Sequence, residues 1–176
     1  MEKQVENAMA IAAAEGRPVR ILFVCLGNIC RSPAAEGIMR QYCEKLPAAM
    51  RPELDSAGFY GGHAGDLPDR RMRNAAFQHG FHLDHRSRLI RPSDFDYFDL
   101  IIGMDDRNLS DLHDAAPSVE AEKKIARMSD FCVHYPEAHY IPDPYYDGID
   151  GFHNVLNLLE DGCQHLLTLL YPQEGL

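Results

Sequence analysis

The run Arg20-Ile21-Leu22-Phe23-Val24-Cys25-Leu26 is apolar without interruption after its first residue and rich in branched and aromatic side chains. A segment of this kind suits a β-strand covered on both faces, the environment of a strand inside a parallel sheet. Gly27 and Asn28 break the run, and Pro33 sits where a helix would begin, with Ser32 before it as a candidate cap. That helix is expected to reach Cys43 or Leu46. The chain is thus built around a strand, a glycine-containing loop and a helix.

The same alternation continues. A short strand is expected over Glu53 to Ala57, a loop over Gly61-Gly62-His63-Ala64-Gly65, and a helix from Asp69 to His79 stopped by Gly80. Phe98 to Met104 reads as a second strong strand, and Asp105 or Asp106 can cap a helix running to Leu112 or His113. A short strand near Lys124 to Met128 precedes an ordered loop over Pro136 to Gly151. From Phe152 to Leu170, apolar residues recur every three to four positions, which predicts a terminal helix docked on the sheet. Alternating strands and helices favour a three-layer α/β domain with a mostly parallel sheet. Residues 1–17 form an N-terminal extension whose Ala8 to Ala14 stretch favours a short helix ended by Gly16 and Pro18, leaving 18–176 as the main domain.

Charge and cysteine usage narrow the function. With 27 acidic against 17 basic residues and a formal net charge of -10, the chain is a poor match for nucleic acid or an anionic membrane surface. No apolar stretch is long enough to span a bilayer and no secretory signal is evident, so a cytoplasmic location is expected. Cys25, Cys30, Cys43, Cys132 and Cys163 are odd in number and scattered, unlike a disulfide scaffold, and lack the Cys/His spacing of a metal site. Neither metal nor cofactor is expected.

The chemistry concentrates in Cys25-Leu26-Gly27-Asn28-Ile29-Cys30-Arg31-Ser32, which sets a thiol and a guanidinium six positions apart between the strongest strand and its helix. If the loop curls, its N–H groups and the helix start make a nest for an oxyanion. Such surroundings, with Arg31, favour the thiolate of Cys25, a nucleophile able to attack phosphorus. Arg31 can grip two equatorial phosphate oxygens with its planar fork. Gly27 permits tight curvature and Asn28 can hold the loop, while Ser32 either donates to the Cys25 sulfur or serves only as the cap. Cys25 read alone could equally be a buried residue at a strand end. Expelling a phenolate needs an acid, and Asp143, in Ile141-Pro142-Asp143-Pro144-Tyr145-Tyr146, is the candidate to protonate the leaving oxygen and then activate water. A turn-forming role is the alternative for Asp143. Tyr145 and Tyr146 either wall an aromatic pocket, fill the core or accept phosphorylation.

Taken with Asp55-Ser56-Ala57-Gly58, Asp84-His85-Arg86-Ser87 and Met104-Asp105, the stretch Val24 to Glu36 and the Asp143-Pro144-Tyr145-Tyr146 run resemble the low-molecular-weight protein tyrosine phosphatases, from about Val19 to Leu170. The resemblance implies a four-stranded parallel sheet flanked by helices, no required metal and a phosphocysteine intermediate. It carries the nucleophile to Cys25, anion binding to Arg31 and acid/base action to Asp143, and it groups Asn28, Ser32, Ser56 and His85 as a loop-stabilising network. From the residues alone, His85 could be a surface or cap residue. Cys30 resembles the second cysteine of the family's active loop, implying a reversible bond to Cys25 on oxidation, although a small loop-packing role is the alternative.

One position departs from the family pattern. Where relatives commonly carry an aromatic just before the loop histidine, this chain has Gly62 before His63. Phe59 and Tyr60 lie slightly earlier and are the candidates for the missing pocket wall. The expected partner is a phosphotyrosine protein or a small aryl phosphate, met by a monomer or weak homo-oligomer. Arsenate reduction is the nearest competing reaction, but it calls for further mid-chain cysteines, and Met50 to Phe131 contains none. A phosphate-binding regulatory module without turnover would need neither Cys25 nor Asp143.

Overall fold

The computed structural model describes residues 1–175. Four parallel strands form one sheet: β1 (Arg20–Cys25), β2 (Glu53–Gly58), β3 (Leu100–Gly103) and β4 (Ile125–Arg127), in the order β2-β1-β3-β4. Strand β1 is central, pairing Cys25 with Gly58 on one side and Val24 with Gly103 on the other. Because side chains alternate across a strand, β1 feeds two cores. Ile21, Phe23 and Cys25 face the larger core, whereas Leu22 and Val24 join Phe95, Phe98, Ile101 and Leu112 in the smaller one.

The larger core is covered by α1 (Glu2–Ala14), α2 (Arg31–Tyr42), α3 (Arg70–Gln78) and α7 (Ile149–Leu170). The smaller one lies under α4 (Asp94–Tyr97), α5 (Asp106–Ala115) and α6 (Val119–Glu122). This is the expected three-layer arrangement, with helices on both faces of a parallel sheet. Helix α7 buries Phe152, Val155, Leu156, Leu159, Leu166, Leu167 and Leu170 along one face, each large apolar side chain contributing about 1.5–3 kcal/mol.

Several boundaries differ from the sequence expectation. The 98–104 strand shrinks to Leu100–Gly103 because Phe98 ends the short helix α4 and turns its ring into the smaller core. Helix α7 starts at Ile149, three residues before the expected Phe152. Helix α2 begins at Arg31, so Pro33 occupies its third position and Cys30 its cap. Helix α1 is anchored by Val5, Ala8 and Ala12 in the larger core. Among the described residues, no helix is long and apolar enough to cross a membrane.

Candidate active site

Cys25 is the last residue of β1, and the loop from Leu26 to Cys30 carries the chain over the carboxyl end of the sheet into α2. Ligands of open α/β sheets collect at that end, where loops leave the strands. Asn28 has a φ of 55°, the left-handed conformation that asparagine tolerates better than most residues. It is therefore Asn28, and not Gly27 as the sequence suggested, that makes the bend; a Cβ on Gly27 would meet only ordinary contacts at 3.5 Å. The close approach that does require glycine is at Gly58, where a Cβ would come within 2.6 Å of the Leu26 carbonyl oxygen and 2.9 Å of the Asn28 nitrogen. The N–H groups of Gly27, Asn28, Ile29 and Cys30 donate to no backbone carbonyl among the described residues. Four donors thus stand free beside the start of α2, a suitable seat for an oxyanion.

A hydrogen-bond chain holds this loop. Asn28 Nδ2 donates to Ser32 Oγ (2.8 Å) and Ser56 Oγ (3.0 Å), and Ser56 Oγ donates to Glu36 Oε2 (2.8 Å). With its oxygen accepting from Asn28, the Ser32 hydroxyl can turn its proton to Cys25 Sγ, 3.0 Å away, or to the Ala57 carbonyl, farther off at 3.4 Å. Ser32 makes no side-chain cap on α2, so the plain capping alternative falls away. Asn28 Oδ1 accepts from the Arg88 N–H (2.9 Å) and faces His85 Nε2 (3.0 Å), while His85 Nδ1 faces Glu36 Oε2 (3.1 Å). Both ring nitrogens thus meet side-chain oxygens. Burial pushes the Glu36 carboxyl up, but His85, Ser56 and Arg40 together hold it below the ordinary carboxylate range.

Glu36, Asp55 and His85 place ligand atoms within 4.8 Å of one another. The trio serves the loop and is a poor fit for a metal: both His85 nitrogens are committed, and Asp55 pairs with the Arg88 guanidinium at 2.9 Å. Glu36 is the network member that sequence reading missed. Its signal was an acidic residue among Ala34, Ala35, Gly37 and Ile38, on the face of α2 that turns inward.

Arg31 is only 2 % exposed. Its Nη1 donates to Asp105 Oδ2 (2.6 Å) and the Ile141 carbonyl (3.0 Å), and its Nη2 reaches Asp143 Oδ2 (3.4 Å). Burial works against the buried cation, but the Cys25 sulfur, Asp105 and Asp143 outweigh it, so the guanidinium stays charged. Asp105 does two jobs: one oxygen caps α5 by accepting from the Asn108 N–H (2.8 Å) and the other orients Arg31. The sequence showed only the first.

These groups line one cavity of about 390 Å³. Cys25, Cys30, Arg31 and Asp143 share it with Tyr60, His63, Tyr145 and Tyr146. Phe59, expected at its wall, is elsewhere: continuing the alternation of β2, it follows Ala57 to the opposite face and packs on the smaller core. Tyr60 takes the other face. Its ring lies edge-on to His63, centroids 5.6 Å apart, and lies where a side chain at Gly62 would grow, since a Cβ there would be 2.4 Å from the ring.

A thiol at the end of a central parallel strand, beside open loop amides and a buried guanidinium, defines a cysteine-bearing oxyanion-binding protein of the α/β class. Comparison narrows the class. Residues 20–174 match the family model for low molecular weight phosphotyrosine protein phosphatase. The chain is 37 % identical over 156 residues to a low molecular weight protein-tyrosine-phosphatase of Streptomyces coelicolor, covering 88 % of this chain and 94 % of that one. Among solved structures, a protein tyrosine phosphatase from Entamoeba histolytica superposes with a TM-score of 0.82 at 41 % identity, covering 89 % of this chain and 98 % of that one. YfkJ from Bacillus subtilis gives a TM-score of 0.80 at 34 % identity, with 90 % and 98 % covered. The chain belongs to the low molecular weight phosphotyrosine protein phosphatase family.

Proposed function

We propose that this protein hydrolyses phosphotyrosine in proteins, and aryl phosphate monoesters generally, with Cys25 as nucleophile, Arg31 as phosphate clamp and Asp143 as acid and base. The observation that carries this reading is that Asp143, 112 positions beyond Arg31, lines the same cavity as Cys25 and Arg31. In the first half-reaction Cys25 sulfur bonds to phosphorus as the ester P–O bond breaks, and the Asp143 proton goes to the departing phenolate oxygen. In the second, Asp143 takes a proton from water, the water oxygen bonds to phosphorus, and the S–P bond breaks to return the thiolate. Ser32 donates to the departing sulfur, and Arg31 and the loop amides hold the equatorial oxygens in both steps.

Tyr60, Tyr145 and Tyr146 give the mouth an aromatic lining suited to a phenyl ring. Cys30 shares the cavity with Cys25, which supports a reversible bond between them under oxidation. Five free cysteines support a reducing, cytoplasmic setting, and a monomer or weak homo-oligomer acting on phosphoproteins is the working form. The other three cysteines are buried away from the cavity, which favours ester hydrolysis over thiol-relay reduction of arsenate.

The test compares phosphate release and arsenate reduction in wild type, Cys25→Ser and Asp143→Ala. Cys25→Ser is expected to abolish phosphate release, and Asp143→Ala to slow esters of poor leaving groups by about 10²-fold or more while sparing good ones. Equal loss for both ester types would remove Asp143 from the acid role.

A further inference from the structure

Segment 142–148 carries Asp143, and its ties to the body of the protein are few. It is hinged at Ile141, whose N–H donates to the Met104 carbonyl (2.8 Å) at the end of the sheet and whose carbonyl accepts from Arg31 (3.0 Å). Beyond that hinge, two hydrogen bonds are internal: the Tyr145 N–H donates to Asp143 Oδ1 (3.1 Å), and the Asp147 N–H donates to the Pro144 carbonyl (2.9 Å). Besides the Gly151 N–H to the Gly148 carbonyl (3.0 Å) at the start of α7, two bonds reach outward among the described residues. One is the long Arg31 contact to Asp143, at 3.4 Å. The other runs from Arg71 Nη1 to the Tyr145 carbonyl, at 2.9 Å.

Arg71 is itself fastened on the opposite side. Its Nε and Nη2 donate to Asp69 Oδ1 (3.1 Å) and Oδ2 (2.9 Å), a two-point grip only a guanidinium can make while leaving Nη1 free. The guanidinium carbon sits 4.8 Å from the centroid of Phe152, fully buried in α7, and 5.2 Å from that of Tyr145. Asp69 also gives its N–H to the Ile29 carbonyl of the phosphate loop (2.7 Å). A continuous path therefore runs from Ile29 through Asp69, Arg71 and Tyr145 to the Asp143 carboxylate.

We propose that Arg71 is a positioning residue for the acid, tying the Asp143 segment to the phosphate loop so that the carboxyl sits over the leaving oxygen. The role rests on the assignment of Asp143 as acid. Without Arg71 the segment keeps its hinge at Ile141 but loses its firm outward anchor, so Asp143 spends less time in place. Chemistry that needs no proton for the leaving group is untouched, because Cys25, Arg31 and the loop amides are held by other contacts.

The experiment measures phosphorylation of Cys25 under single-turnover conditions, with aryl phosphates of graded leaving-group pKa, in wild type, Arg71→Ala, Arg71→Lys, Asp143→Ala and Arg71→Ala/Asp143→Ala. Arg71→Ala should slow poor leaving groups about tenfold and good ones less than about twofold, a part of the roughly 10²–10⁴ that an acid supplies. Arg71→Lys, which keeps the charge and packs over Phe152 but cannot serve both partners, should fall between, and it stands in if the alanine variant fails to fold. The double variant should be no slower than Asp143→Ala alone, because both changes remove one effect. Equal slowing across the series, or full additivity in the double variant, would overturn the role. If Asp143→Ala itself shows no leaving-group preference, the acid assignment falls and this proposal with it. If Asp143→Ala shows the preference and neither Arg71 variant does, only Arg71 is reassigned.

Discussion

Ser32 illustrates how one side chain is committed by its neighbours. Its oxygen accepts from Asn28, and the nearer of two acceptors for its single proton is the Cys25 sulfur at 3.0 Å, against the Ala57 carbonyl at 3.4 Å. A hydrogen bond to a charged group is worth about 1.5–3 kcal/mol, so Ser32→Ala should slow breakdown of the phosphocysteine roughly 10- to 100-fold. The check is a pre-steady-state burst of phenol followed by a slowed steady rate; an unchanged steady rate would show that Ser32 gives the leaving sulfur nothing. Burial pushes the thiols of Cys43 and Cys132 up to about 12, and those of Cys30 and Cys163 well above the ordinary range.

At the scale of elements, the first helix is part of the packed body, and Arg17 just beyond it locks the junction. Its guanidinium donates to both oxygens of Asp99, at 2.7 and 2.9 Å, and Asp99 is only 1 % exposed. Hydrogen bonding to Asp99 raises the Arg17 pKa above its ordinary value. Asp99 also accepts the Arg20 N–H (2.9 Å), so the pair ties the segment after α1 to the first residue of β1. Arg17→Ala would strand a buried carboxylate, with an expected loss of about 3 kcal/mol read from the urea midpoint. Arg17→Lys should recover part of it. No loss in the alanine variant would mean that water or Arg20 replaces the pairing.

For the molecule as a whole, acid sensitivity follows from the network under the phosphate loop. Glu36 has a folded pKa below its unfolded value, so its contribution is present above about pH 4.3 and is lost as pH falls through the lower, folded value. Asp69, held down by Arg71, has the same sign. Glu36→Gln should therefore cost about 2 kcal/mol near pH 7, with the gap to wild type narrowing as pH falls below about 4.3 in urea titrations. A gap independent of pH would assign the Glu36 contribution to packing instead of charge. Loss of the network also loosens Ser56 and Asn28, so activity should fall together with stability on the acid side.

The sequence by itself determined what depends on near neighbours. The apolar run into Cys25, the break after it, the six-residue spacing to Arg31 and the period of α7 are local patterns, and backbone stereochemistry turns them into a strand, a loop and helices. Only the tertiary structure decided which distant groups meet: Asp105 on Arg31, Glu36 beneath Ser56, and Arg71 against Tyr145. It also chose Tyr60 over Phe59 for the pocket, since the face a residue takes depends on the register of β2 against β1. Those pairings are set by strand order and sheet alternation, which bring together residues up to 74 positions apart and leave no trace in local periodicity.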